Sequence, residues 1–158
     1  MNDAHLHLAV NHLPLITPAI AILVLVAGFI TRSETVKRTA YFIFIVGAIT
    51  TLPAFATGEG AEEIIEHLPG ADRHRIHAHE ESAEVFGKLN YALGVISLLA
   101  LWISMKRKKF ANIVAFIVLL VAGVVLFFAQ QAATSGGEIT HTEIRGDTQA
   151  PPAPSPEH

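Results

Sequence analysis

Imidazoles and carboxylates are the groups in this 158-residue chain that could ligate a metal or carry protons, and they are unevenly placed. Nine histidines, at positions 5, 7, 12, 67, 74, 77, 79, 141 and 158, and thirteen of fourteen carboxylates fall before, between or after apolar runs in segments that share one side. Only Glu34 falls on the other. The stretch from Ile76 to Glu84 reads as helix. At about 100° per residue, Ile76, Ala83, Gly87 and Asn90 share one inward line. His79 and Glu80 flank that line. His77 with Glu81, and Glu84 with Lys88, fall on an open flank as i,i+4 surface pairs.

Other apolar runs end in matching groups. His12 stands beside Asn11 at the start of the first run. Glu59, Glu62 and Glu63 follow the second. Glu138 and His141 follow the fourth as Glu-x-x-His, a pattern found in carboxylate-bridged metal sites of four-helix bundles. The expectation is that His12, Glu59, His79, Glu80, Glu138 and His141 converge as metal ligands. His12, His79 and His141 are the candidates for binding a haem. Imidazole with carboxylate suits Fe, Zn, Mn or Cu, whereas two imidazoles on facing helices suit haem b. The plain alternative is that polar residues gather at the ends of membrane helices because water begins there.

The elements that would position these groups are four apolar runs, 13–30, 39–57, 85–105 and 110–133. Each is close to the roughly 20 residues an α-helix needs to cross a bilayer core. Only helices or closed barrels satisfy their backbone in lipid, and runs this long are helical. The fold class expected is all-α, an integral membrane four-helix bundle. A short amphipathic helix over 61–68 lies in the second connection, with Ile64, Ile65 and Leu68 on one side. Residues 1–12 read as a polar lead-in. Asp72 is a helix N-cap, with no breaker between it and the third run. Pro53 predicts a kink in the second. Residues 1–145 form one domain, and 146–158 a Pro-rich disordered tail.

Seven of eleven basic residues lie in the connections 31–38 and 106–109. Basic short loops stay cytoplasmic, so both termini and the 58–84 connection are expected in the periplasm of a bacterial inner membrane. The first run lacks a basic lead-in and a small-residue cleavage site, so it is expected to be retained. The basic residues lie where anionic headgroups explain them, which argues against nucleic acid. There is no cysteine, which excludes thiolate metal sites and covalent haem attachment.

His12-Leu13-Pro14, Thr57-Gly58, His79 and Gly136-Gly137 together resemble a bacterial family of four-span membrane proteins of unknown function. The resemblance spans most of residues 5–145. Members of that family sometimes carry fused Rieske or cytochrome c domains, so it implies a membrane redox context with b-type haem. The chain is expected to act without such an appended domain, and it carries more glutamates than a haem pocket needs. Three functions follow as expectations. The first is an electron-transfer module in the lipid bilayer, serving quinone or a redox partner protein. The second is divalent-metal binding or sensing. The third is a structural or accessory subunit of a homo-oligomer or membrane complex. No nucleophile with a base and an orienting group is readable for hydrolysis.

Overall fold

Long uninterrupted apolar runs without helix breakers fold here into long helices. The computed structural model describes residues 2–68 and 71–146, and its regular structure is entirely helical among these residues. Met1, Pro69, Gly70 and the Pro-rich tail from Asp147 onward, including His158, lie outside the described residues. The helices are α1 Asp3–Val10, α2 His12–Ile30, α3 Glu34–Ala56, α4 Gly58–Glu66, α5 Arg73–Lys106 and α6 Ala111–Thr140. Short 3-10 turns cover Lys108–Phe110 and Thr142–Ile144.

Local chemistry sets most of the helix ends. Ser33 accepts from the Val36 N–H at 3.4 Å and opens α3. Arg32, in the tight turn before it, adopts a left-handed φ of 52°. Asp72 accepts from the N–H groups of His74 and Arg75 at 3.1 and 3.4 Å. As expected, α5 runs unbroken from that cap through the third apolar run. The amphipathic helix starts earlier than expected, at Gly58, because Thr57 keeps a helical backbone directly after α3. It ends at Glu66, so Leu68 lies past its end and is exposed, while Ala61 is buried and Ile64 and Ile65 are half-buried. The polar lead-in is a correction. It is a helix, capped by Asn2, whose side chain accepts from the His5 N–H at 3.0 Å.

Helices α2, α3, α5 and α6 form a ring in which each packs on the next and α6 closes on α2. All four are long and apolar enough to cross a membrane. Their outward faces are apolar, with Leu23 70% and Ile30 77% exposed. The interior holds Leu25, Tyr41, Phe44, Leu93, Val118 and Val125, fully buried. In lipid, no hydrophobic force drives helices together, so small residues that permit close approach matter most. A methyl group on Gly94 would overlap the Ala48 methyl, and one on Gly47 would overlap the Thr17 hydroxyl. Gly87 lies under the Phe55 ring. Buried Asn90 on α5 donates to Thr51 Oγ1 at 2.9 Å and to the Gly47 carbonyl at 3.3 Å, tying α5 to α3.

Gly94→Leu should therefore force α3 and α5 apart and cost about 1–3 kcal/mol, the usual range for overpacking. Gly123→Leu should leave the stability of a single protomer unchanged, because no neighbouring group lies within 4 Å of the added carbon. Reversible unfolding of the two variants in detergent checks the contrast.

Candidate functional site

The helix ends that carry the histidines meet at one end of the bundle. His79, on the first third of α5, is half-buried against α6. Its Nδ1 lies 3.2 Å from Ser135 Oγ. That hydroxyl already donates its proton to the Ala132 carbonyl at 3.1 Å, so Nδ1–H donates to it. Nε2 of the neutral ring then keeps a free lone pair. Gly136 makes the space: an added methyl there would stand 2.9 Å from the ring's Cε1. His77 is solvent-exposed and pairs with Glu80 at 3.1 Å and Glu81 at 3.7 Å. The expected order, His79 inward and His77 outward, is the one observed, as are the surface pairs His77–Glu81 and Glu84–Lys88.

His7 is the residue that sequence reasoning missed. It sits on α1, half-buried, with Nδ1 3.0 Å from the Ala54 carbonyl and 3.1 Å from Thr57 Oγ1. A carbonyl only accepts, so Nδ1 again carries the proton and Nε2 is free. The Thr57 hydroxyl donates to the Pro53 carbonyl at 2.9 Å, which leaves its oxygen to accept as well. His7 lies within electrostatic reach of His79, and His12 within reach of His7. The signal was available. Asn2-Asp3 is a helix start, and Ala4, His7 and Asn11 then share one helical face.

The six expected ligands do not gather into one group. Among the described residues, no three His, Asp or Glu side chains are placed to hold a metal ion together. His12 and Glu59 are exposed. Glu80, expected inward, is exposed and engaged by His77. Glu138 is half-buried, but its carboxylate meets Arg75 at 2.8 Å, joining α6 to α5. His141 falls just past the end of α6 in an extended conformation, so the Glu-x-x-His spacing never becomes one helical face. It pairs instead with Glu143 at 2.9 Å. The Glu143 carboxyl is held below the usual carboxylate range by its own backbone N–H first and by His141 second. Arg145 donates to the Glu138 and Ile139 carbonyls at 2.8 and 2.9 Å and closes the end of α6.

Gly136→Val should push the His79 ring out of its seat. We expect faster diethyl pyrocarbonate modification of His79 and a stability loss of about 1–2 kcal/mol. An unchanged modification rate would show that Gly136 does not set the ring's position. No protein-family model matches the chain, and no curated protein or solved structure matches it.

Proposed function

We propose that the protein is an electron-transfer module of a bacterial inner membrane, holding a redox centre on His7 and His79 at the periplasmic end of its bundle. The observation that supports this reading is the shared orientation of the two rings. Each donates Nδ1–H to a fixed oxygen and turns an unprotonated Nε2 away from it. Metal-bound histidines are typically oriented in this way by their outer partners. Thr57, Ala54 and Ser135 would be those partners here. The two neutral imidazoles of His7 and His79 would hold the iron of a b-type haem, a copper ion or a non-haem iron, which would supply the one-electron chemistry. The nearby carboxylates contribute less, since Glu138 is bound to Arg75 and Glu80 to His77. His12, the electrostatic neighbour of His7, is the next ligand to consider. Quinone or a redox protein would be the electron partner.

The topology rests on the basic connections, now seen as the turns between α2 and α3 and between α5 and α6. Cysteine at Lys108, which is exposed, should react with an impermeant maleimide only after the cells are permeabilised. Labelling in intact cells would invert the orientation.

Absorption spectra and metal analysis of the protein purified from membranes test the centre. We expect a Soret band, or about one equivalent of metal. It should be lost in His7→Ala and His79→Ala and kept in His77→Ala. A wild-type protein with neither signal would replace this reading with an accessory-subunit role. That alternative is favoured by one feature, the mutual pairing of charges at the same end.

A further inference from the structure

A groove of about 360 Å³ lies between α5 and α6, on the flank of the bundle beside His79. That is the size of a small-molecule site. Ser82 lines it from α5. Phe127, Gln130, Gln131 and Thr134, all exposed, line it from α6. Ser135 and Glu138 complete it. One contact fixes its depth. Helices α5 and α6 run antiparallel, with His79 beside Ser135. Counting from that contact, Gln130 stands level with Glu84, whose carboxylate meets Lys88 at 2.6 Å. In a bilayer the groove therefore opens where the apolar run meets the headgroup layer.

The lining restricts what can bind. The amides of Gln130 and Gln131 and the Thr134 hydroxyl meet no hydrogen-bond partner among the described residues, and each can donate. The Ser82 hydroxyl already donates to the Ala78 carbonyl at 2.8 Å. Glu138 is the one charged residue of the lining, and Arg75 holds its carboxylate at 2.8 Å. No lining cation is there to receive a phosphate, and the carboxylate already has its counter-ion. The ligand that fits is neutral, is soluble in the bilayer, and carries acceptor oxygens on a flat head that can lie against Phe127. Ser135 joins the groove to the histidine site, because it lines the groove and also accepts from His79 Nδ1–H at 3.2 Å.

We propose that this groove binds the head of a membrane quinone. A quinone carbonyl accepts from Gln130 and Thr134, and the ring lies against Phe127. The tail runs over Val124 and Leu120, both exposed on the same flank of α6. Quinone is chosen over other neutral membrane molecules because it would be the electron partner of a centre on His7 and His79, and the ligand's identity rests on that reading.

The protein purified from membranes would be placed in nanodiscs of phosphatidylcholine and phosphatidylglycerol. A photoreactive azidobenzoquinone with a short isoprenoid tail is the probe. Mass spectrometry should find the label concentrated within residues 127–138. Excess unlabelled quinone with the same tail should displace it, and the same excess of phosphatidylglycerol should not. Gln130→Leu and Thr134→Val should each reduce labelling about fivefold, the worth of one net hydrogen bond, whereas Leu23→Ala on the outward face of α2 should not. All three positions are exposed, so unchanged helical circular dichroism would confirm intact folds. Label spread alike over the outward faces of α2 and α6, displacement by the phospholipid, or full labelling of both groove variants would each overturn the proposal. Specific label in protein that shows neither a Soret band nor bound metal would uphold the quinone site and remove the centre. A loaded centre with no label in the groove would remove the site alone.

Discussion

Gly94 against Ala48, Gly47 against Thr17 and Gly87 beneath the Phe55 ring set the spacing of α2, α3 and α5, and the histidine-rich end inherits that spacing. With apolar side chains covering the outside, burial alone does not distinguish the interior from the exterior in a lipid setting. What does is close contact between small residues, with a few internal hydrogen bonds such as Asn90 to Thr51. Thr51 lies one turn and a half before Thr57 on α3, and Asn90 lies three turns below His79 on α5. The junction that fixes the register of the two helices therefore also fixes how far apart Thr57 and His79 stand.

At the histidine-rich end the same logic continues with different atoms. Gly136 is to His79 what Gly94 is to Ala48, a missing side chain that admits a neighbour. The ring fills the space, and Ser135 then orients it. Polar side chains are engaged pair by pair: Arg75 with Glu138 as an ion pair, and the His77 and His141 rings with Glu80 and Glu143. Only Arg75 supplies a fixed positive charge, to Glu138; Glu59 and Glu80 are exposed to water, which weakens their repulsion without any ion to draw the six candidates together. What is left unengaged on the two half-buried rings is an imidazole nitrogen on each, and the proposed centre rests there.

Much of this architecture was legible because long runs and helical angles are one-dimensional properties. The four runs, the Asp72 cap, the unbroken α5 and the inward turn of His79 all follow from spacing along a single helix. Glu80 did not follow, although it flanks the same inward line. Near its N-terminus, α5 has passed the end of α3 and leans mainly on α6 through His79–Ser135 and Arg75–Glu138. The buried arc is narrower there than deeper in the bundle, and Glu80 lies outside it. His141 did not follow because α6 stops one residue short of it. His7 did not follow because residues 1–12 read as a polar lead-in with no helix to fix a face. Its role depends on contacts with Ala54 and Thr57, some fifty residues away, which no periodicity encodes.

The two ends of the bundle are held together by different chemistry. At the basic end, Lys37 is only 3% exposed, and its ammonium reaches Glu34 at 2.7 Å, the Asn112 side chain, and the Phe29 ring with its centroid 5.1 Å away. Arg38 donates to the Ser104 carbonyl at 2.7 Å. A buried ammonium is tolerable only when several partners hold it, and removing one partner leaves an uncompensated charge. Lys37 therefore ties the α2–α3 turn to the start of α6, and Arg38 ties α3 to the end of α5. The connections at this end are short. The histidine-rich end instead carries the longer connection, both additional helices and the half-buried imidazoles. The same helices are thus fixed at one end by Lys37 and Arg38 and at the other by the His7–Thr57 and His79–Ser135 contacts.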